Sequence, residues 1–277
     1  MNTNNSTPSM SAELLHRRTI PLEGFISCFD IEHRPERSGT NVLGYSFHYA
    51  PNWKFHIRLT QSGYDPKGAF GHYALHLVCS DHDEVRAIQL RLTELQKTKR
   101  MLRLDAPMSF VNWKNGQAGR FACGEVLGLP LGVLYQDNAL PSGSITTSRN
   151  DMERLRVDLR GMVKLFSVEP RERRGQFTLT GRLRTPHLDG WKLHILFVEE
   201  ECSPTGALGR HGLHFYTDDR AELNYVQQAL SWMQEEGIIF TLSAHVDYYE
   251  WRDRSTGAFR CGTTLSFPAE AFDICPF

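Results

Sequence analysis

The sequence predicts a mainly β protein built from two tandem copies of one domain, and three observations support this. Residues 68–127 align with residues 206–265 without a gap, at a constant offset. Each copy contains runs that alternate apolar and polar residues, as strands do, and one segment with helical spacing. The length of 277 residues also suits two domains better than one.

The internal repeat is the most informative feature of the chain. It has 18 identities in 60 positions, and the motif WKFHI at Trp53 returns as WKLHI at Trp191. The identical pairs include Leu75/Leu213, His76/His214, Trp113/Trp251, Gly119/Gly257 and Cys123/Cys261. The period is too long for a solenoid, whose units span about 20–50 residues, so each copy needs a hydrophobic core of its own.

The order of elements within a copy predicts the fold. Strand-like runs cover residues 25–33, 42–49, 54–60, 73–79, 101–113 and 120–127. A helix is predicted after the fourth run, opened by Ser80-Asp81 in the first copy and capped by Asp218-Asp219 in the second. Its apolar positions are Val85, Ile88, Leu92 and Leu95, or Leu223, Val226, Leu230 and Met233. Early strands, one helix and a final hairpin are typical of a Greek-key barrel of the oligonucleotide/oligosaccharide-binding (OB) type.

We therefore predict two tandem OB-type Greek-key barrels, each with one helix between the early strands and the final hairpin. The predicted boundaries are a disordered N-terminus over 1–20, a first domain over 21–128, a linker over 129–158, a second domain over 159–267 and a C-terminal interaction tail over 268–277. The linker prediction rests on its turn-rich composition.

Composition predicts a cytoplasmic protein that does not enter the membrane. No stretch approaches the roughly 18 apolar residues of a membrane span, and the polar N-terminus lacks the apolar core of a secretory signal. The formal net charge of -1 argues against a histone-like or strongly basic nucleic-acid binder but says nothing about how charge is distributed over the surface.

Metal and enzyme chemistry are not expected. The six cysteines lie far apart with no CxxC pair, so we interpret them as buried thiols and predict no zinc site. His76 and His214 lie inside apolar strands and are interpreted as hydrogen-bonded core histidines. No catalytic motif or cofactor-binding loop is present, and the sequence predicts a non-enzyme without a cofactor.

Outward-facing aromatic residues with cations beside them are the candidate binding site. The alternation of the final hairpin places Leu242, Ala244, Val246 and Tyr248 in the core, so Trp113 and Trp251 face outward. Stacking of a base on an indole is worth about 1–3 kcal/mol and tolerates any sequence. The candidate stacking residues are Trp53, Trp113, Trp191, Tyr249 and Trp251. The candidate phosphate contacts are Lys54, Lys114, Arg120, Arg182, Arg184, Lys192, Arg252, Arg254 and Arg260. The alternatives are tryptophans packed on a loop or partner subunit, and cations on a solvated face.

The second copy resembles bacterial single-stranded DNA-binding protein (SSB). The run GLHFY at Gly212, the helix through Trp232 and the hairpin YEWRDRSTG at Tyr249 look like that family's third strand, helix and hairpin. The resemblance implies that Trp251, and Trp113 in the first copy, stack on DNA. A similar helix-plus-hairpin pattern occurs in replication-associated proteins of integrating conjugative elements.

The C-terminus adds a second likeness to SSB. SSB chains end in an acidic tail with a Pro-Phe pair that recruits replication and repair enzymes, and here Asp273, Ile274, Pro276 and Phe277 look like that tip. Cys275 is inserted between Ile274 and Pro276, and few acids precede it.

The sequence thus predicts a protein that binds single-stranded DNA in replication, recombination, repair or mobile-element maintenance. A homodimer is expected, because two such chains would supply the four OB domains of an SSB tetramer. The rival hypothesis is a mobile-element accessory or inhibitor protein that uses the same surfaces for protein–protein contacts.

Overall fold

The computed structural model describes residues 18–41, 43–44, 46–64, 71–115, 120–136, 154–171, 190–200, 202, 208–253 and 255–276. This part of the chain is mainly β, as the alternating sequence pattern predicts. It contains one ten-stranded sheet and one two-stranded sheet.

The first copy contains seven strands and two helices among the described residues. They are β1 Thr19–Arg34, β2 Arg37–Thr40, β3 Ser46–Tyr49, β4 Asn52–Thr60, β5 His72–Cys79, α1 His82–Thr98, β6 Met101–Asn115, β7 Arg120–Gly128 and α2 Leu131–Tyr135. The short strands β2 and β3 pair only with each other.

The second copy repeats this order. Its described elements are β8 Arg156–Arg171, β9 Gly190–Glu199, β10 Arg210–Thr217, α3 Arg220–Glu235, β11 Phe240–Arg252 and β12 Phe259–Ser266, followed by a 3-10 helix at Ala269–Ile274.

Both predicted helices form where the sequence places them. The Asp81 carboxylate accepts hydrogen bonds from the backbone N–H groups of Asp83 (2.8 Å) and Glu84 (3.3 Å), and Asp219 caps α3 through Ala221. These bonds satisfy donors that the first turn of a helix leaves open. All eight predicted apolar positions of the two helices are buried.

Each copy closes its strand pairing on itself. In the first copy β1 pairs with β4, β4 with β5, β5 with β7, β7 with β6 and β6 with β1. The five long strands of the second copy make the same five pairings. The register shift in β1 between Ile26 and Cys28 recurs in β8 between Val163 and Leu165. Repeated sequence has therefore produced repeated topology, including the irregularity.

The two copies meet through one antiparallel pairing between β7 and β12, in which Thr263 lies opposite Glu125. These two residues occupy equivalent positions of the repeat. A contact between a position and its own equivalent is what a twofold axis produces at an isologous interface. The chain is thus arranged like a symmetric dimer joined into one polypeptide.

Hydrogen bonds on either side of this axis hold the copies together. The buried Glu125 carboxylate accepts the Gly212 N–H at 2.8 Å, and the Thr263 hydroxyl donates to the Ala74 carbonyl at 3.0 Å. Gly212 and Ala74 are themselves equivalent in the repeat. A Cβ atom at Gly212 would lie 2.5 Å from the Gly124 nitrogen, so the two backbones approach more closely than any side chain permits.

A buried histidine compensates the charge of Glu125. His211 Nδ1 lies 3.5 Å from Glu125, and its Nε2 lies 2.8 Å from Glu199. Burial by itself lowers the pKa of His211, but the two carboxylates outweigh burial and raise that pKa above its ordinary value. Burial also raises the pKa of Glu125.

Arg58 and Glu250 form a second bridge between the copies. The Arg58 guanidinium lies 3.0 Å from the Glu250 carboxylate, which also accepts the Tyr248 hydroxyl proton. The Glu250 side chain is only 5% exposed. The equivalent positions on the other side of the axis hold Leu196, Asn112 and Phe110. This ion pair therefore breaks the symmetry of the repeat.

The beginning of the predicted linker is packed structure. Leu129, Val133 and Leu134 are buried in the main core, and Arg91 donates to the Leu134 carbonyl at 2.6 Å. At the other end of the linker, β8 already begins at Arg156. Residues 137–153 of the predicted linker lie outside the described residues.

None of the described helices combines the length and the apolarity that crossing a membrane requires.

A first prediction concerns the close backbone approach at Gly212. We expect Gly212→Ala to lower the free energy of unfolding by about 1–3 kcal/mol, because its methyl group would force β10 away from β7. Gly132→Ala is the matched control, since a Cβ there meets nothing within 4 Å and lies in a helix. Urea unfolding should show this control unchanged or stabilised by up to about 1 kcal/mol. Equal losses in both variants would contradict the packing argument.

A second prediction concerns the buried ion pair. We expect Arg58→Leu to destabilise the protein by about 3 kcal/mol, because Glu250 would keep a buried charge without its partner. Arg103→Leu, which removes an exposed pair with Glu23, should cost less than about 1 kcal/mol.

The repeat itself supplies the compensating substitutions. The triple variant R58L/Y248F/E250N copies the residues found across the axis and should recover most of the stability lost in R58L. If the triple variant is as unstable as R58L in urea unfolding, the loss does not come from removing the cation beside the Glu250 carboxylate.

Candidate nucleic-acid interface

Each hairpin lies against the opposite copy. The Trp251 ring of the second copy lies 6.4 Å from the His56 ring of β4, edge to face at 80°. The Trp113 ring of the first copy lies 6.0 Å from the His194 ring of β9 at 82°. Because the pairs are equivalent in the repeat, the protein has two related surfaces, and each is made by both copies.

The alternation of the final hairpins is confirmed. Leu242, Ala244, Val246 and Tyr248 are buried, whereas Trp113 is 40% exposed and Trp251 is 37% exposed. Each indole therefore presents part of its ring to solvent. Large aromatic side chains are among the most costly to expose, so equivalent exposed tryptophans indicate a binding surface.

Tyrosines extend the aromatic surface of the second copy. Tyr249 stacks on Trp251 with ring centroids 5.4 Å apart and planes 13° from parallel. Tyr216 on β10 is 42% exposed, and burial of its hydroxyl raises its pKa, with Tyr249 and Asp247 adding to the rise. The four aromatic residues of the two related surfaces are Trp113, Tyr216, Tyr249 and Trp251, and we call them together the aromatic surface.

Sequence reasoning named Lys192 as a phosphate contact but missed Tyr216 and Arg171, which lie beside it. The Arg171 guanidinium lies 5.0 Å from the centre of the Tyr216 ring, and Lys192 Nζ lies 5.7 Å from it. The signal was present in the alternation of β10, where Tyr216 faces outward between buried neighbours. The first copy has Val78 at this position, so the repeat did not draw attention to it.

Two equivalent lysines give the surfaces an unusual electrostatic character. Burial, with the Arg34 guanidinium nearby, lowers the pKa of Lys54 to about 8. Burial likewise lowers the pKa of Lys192 to about 8, and Arg171 adds to this while Glu169 opposes it. An ammonium group that has lost water and lies beside another cation gains stability from an anion. These positions are suited to a phosphate.

The remaining predicted cations have different surroundings. Lys114 and Arg252 are exposed beside the two tryptophans, and Arg252 also donates to the Gly257 carbonyl at 2.8 Å. Arg120 donates to the Val168 carbonyl of the other copy at 2.8 Å. Arg260 is only 8% exposed and donates to the Phe259 carbonyl, which leaves little of it accessible to a phosphate. Arg182, Arg184 and Arg254 lie outside the described residues.

Trp53 and Trp191 lie apart from the aromatic surface. Both are half-buried and pack against the main core. Trp53 contacts the rings of His33 (5.2 Å) and His82 (5.6 Å), and the Arg220 guanidinium lies 5.3 Å from the Trp191 ring. Both rings therefore already contact other side chains of the protein.

An Asp-centred turn holds the tip of the second hairpin. The Asp253 carboxylate accepts four hydrogen bonds, from the N–H and hydroxyl groups of Ser255 and Thr256, at 2.6–3.0 Å. Gly257 closes the turn with a φ of 68°, a conformation that favours glycine. The turn therefore positions the strand that carries Trp251 and Arg252.

The predicted C-terminal tail is docked on the second copy. Ala271 and Phe272 of the 3-10 helix are buried, and the Phe272 ring lies 5.0 Å from Phe267. Asp273, Ile274 and Pro276 are exposed, with Ile274 44% accessible. Phe277 lies outside the described residues.

Beneath the tryptophans lie two clusters that sequence reasoning did not predict. Cluster one contains His56, His76 and Cys261, and cluster two contains the equivalent His194, His214 and Cys123. In each cluster the three candidate ligand atoms lie within 4.8 Å of one another, and all three residues are buried. The histidines come from one copy and the cysteine from the other. Their joint recurrence in the repeat was the available signal, but only the pairing of the copies brings them together.

Burial favours the neutral form of the cluster residues. It lowers the pKa of His56 to about 4, although the hydrogen bond to Glu32 opposes the shift. Burial lowers the pKa values of His76, His194 and His214 as well. It raises the pKa of the Cys261 thiol. A neutral imidazole carries a lone pair on one of its two ring nitrogens.

No family model matches the chain, and no curated protein matches it.

A third prediction concerns the hairpin tip. We expect Asp253→Ala to speed amide hydrogen exchange at Ser255, Thr256 and Gly257, because the turn loses its four hydrogen bonds. The free energy of unfolding should fall by only about 1 kcal/mol. This is the usual cost of removing a carboxylate that caps the open N–H groups of a helix, and Asp253 bonds the N–H groups of the turn in the same way. Asp105→Ala, at an exposed site on β6, is the control and should leave this exchange unchanged. Unaltered exchange in Asp253→Ala would show that another contact holds the tip.

Proposed function

We propose that this protein binds single-stranded DNA without catalysis and without sequence preference, by stacking bases on the aromatic surface. The observation that carries the proposal is the pair of equivalent, partly exposed tryptophans Trp113 and Trp251. Aromatic platforms combined with a cationic groove are the usual means of binding single strands.

The surroundings of the tryptophans support this function. Lys54 and Lys192 are desolvated cations in the same strands as the histidines that the tryptophans contact. Phosphates would satisfy them, while Lys114 and Arg252 add exposed charge. A strand crossing either surface would meet a stacking face and a cation together.

We also infer that each copy is an OB-type barrel of the kind found in SSB. The closed pairing of five strands in each copy supports this, as does the position of the helix before the final hairpin. A homodimer would then carry four such units. We place the protein in replication, recombination, repair or mobile-element maintenance in the bacterial cytoplasm.

A fourth prediction tests the stacking residues. Titration with oligo-dT should quench the intrinsic tryptophan fluorescence, and affinity should fall steeply between about 50 mM and about 200 mM salt. Trp113→Ala and Trp251→Ala should each lose about 1–3 kcal/mol of binding energy, between about fivefold and about 150-fold in Kd. Fluorescence anisotropy of a labelled oligonucleotide measures this loss.

The control removes an exposed aromatic residue elsewhere. Tyr135 on α2 is 53% exposed and lies outside the aromatic surface, so Tyr135→Ala should bind as the unaltered protein does. An unchanged spectrum with excess oligonucleotide would overturn the proposal. If the tryptophan fluorescence instead changes only when the protein self-associates, the rival hypothesis of protein–protein contacts explains the surface.

A fifth prediction separates the tip of the tail from its packed part. Deletion of Pro276 and Phe277 should abolish capture of replication and repair proteins while leaving oligonucleotide affinity unchanged or higher. Because Pro276 is exposed, the free energy of unfolding should change by less than about 0.5 kcal/mol. Phe272→Ala should instead cost about 3 kcal/mol. Loss of folding in the deletion variant would show that the tip is structural.

A further inference from the structure

The two histidine–cysteine clusters differ in how their ring nitrogens are used. In cluster one, His56 Nε2 lies 3.0 Å from the Glu32 carboxylate, and His76 Nε2 lies 2.9 Å from the Cys261 carbonyl. Neither the carboxylate nor the carbonyl can donate a proton, so each histidine carries its proton on Nε2. Each Nδ1 is therefore left with a free lone pair.

Among the described residues, none donates a hydrogen bond to His76 Nδ1, which is a buried atom of a side chain only 6% exposed. His56 Nδ1 faces the Cys261 carbonyl at 3.4 Å, which is another acceptor. Buried polar atoms nearly always have a partner, so an orphaned imidazole nitrogen beside a thiol needs an explanation.

Cluster two has the same residue types but satisfies its nitrogens internally. The Cys123 N–H donates to His194 Nδ1 at 3.3 Å, and the Thr264 hydroxyl contacts His214 Nδ1. The position equivalent to Thr264 in the first copy is Val126, which has no hydroxyl. This substitution accounts for the difference at His76 and His214, whereas the bond to His194 comes from a backbone N–H.

We propose that cluster one is a zinc-binding site in which a ring nitrogen of His56, a ring nitrogen of His76 and the Sγ of Cys261 hold one Zn²⁺. Two imidazoles and a thiolate are the ligands that zinc prefers, with a water molecule completing a tetrahedron. The ligand atoms need to move together by less than about 1 Å each to reach bond lengths of 2.0–2.3 Å. On binding, the Cys261 thiol releases its proton to solvent and the sulfur–zinc bond replaces the sulfur–hydrogen bond.

The neighbouring residues fit such a site. The Glu32 carboxylate accepts a hydrogen bond from His56 Nε2–H. This is the carboxylate–histidine–metal arrangement common in zinc proteins. Because the histidines belong to the first copy and the cysteine to the second, the metal ties the two copies together beneath Trp251. The site goes beyond DNA binding and does not depend on it.

Cobalt substitution provides the test. The full-length protein is treated with a chelator, dialysed and titrated with Co²⁺, whose bond to a thiolate gives a charge-transfer absorption in the near ultraviolet. We expect this band to saturate at one ion per chain and to disappear when Zn²⁺ is added. Zinc should also raise the Tm of the chelator-treated protein, since it binds only the folded state.

Matched variants identify the cluster. Cys261→Ser should abolish the band, whereas Cys123→Ser, the same change in cluster two, should leave it unchanged. Val126→Thr copies the hydroxyl that closes cluster two, and it should weaken cobalt binding at least tenfold. This last change is conservative at a partly exposed site, so it stays informative even if Cys261→Ser does not fold.

Three results would overturn the proposal. The first is the absence of a thiolate band in the unaltered protein. The second is a band that survives in folded Cys261→Ser. The third is a band that Cys123→Ser reduces as much as Cys261→Ser does, because the asymmetry between the clusters would then be irrelevant.

Discussion

The contact between β7 and β12 is the constraint on which the rest of the molecule depends. At Gly212 the backbone approaches Gly124 so closely that no Cβ fits, and Thr263 and Glu125 pair across the axis. Strand hydrogen bonds cannot stretch without loss, so this contact determines where each copy lies relative to the other. The hairpin tryptophans consequently contact a histidine of the opposite copy as well as residues of their own copy.

Composite surfaces follow from that arrangement. Each surface combines an indole of one copy with a lysine-bearing strand of the other, since Trp251 contacts the strand of Lys54 and Trp113 contacts the strand of Lys192. The same packing of the two copies places a cysteine of one copy beside two histidines of the other. Fusing the two copies in one chain keeps them at high effective concentration, which stabilises contacts that would otherwise require dimerisation.

Fusion has also allowed the copies to diverge. A homodimer must use the same residue on both sides of its axis, whereas here Glu125 faces Thr263 and the Arg58–Glu250 ion pair is matched by Leu196 and Asn112. Val126 and Thr264 differ in the same way, and with them the two histidine–cysteine clusters. Tyr216 enlarges one surface where the first copy has Val78. The two surfaces are thus related in position but not in chemistry.

The sequence by itself determined the features that depend on local periodicity: the two copies, their helices with the Asp81 and Asp219 caps, and the outward direction of Trp113 and Trp251. These follow from spacings of two and 3.6 residues, which any reader of the chain can measure. The sequence also predicted Trp53 and Trp191 as stacking residues and Arg260 as a phosphate contact. Their packing depends on distant residues and leaves them half-buried or buried. Only the tertiary structure decided that His56, His76 and Cys261 meet, because their proximity arises from contacts between strands about 200 positions apart. No local pattern records such a contact, since it depends on how two finished domains pack together.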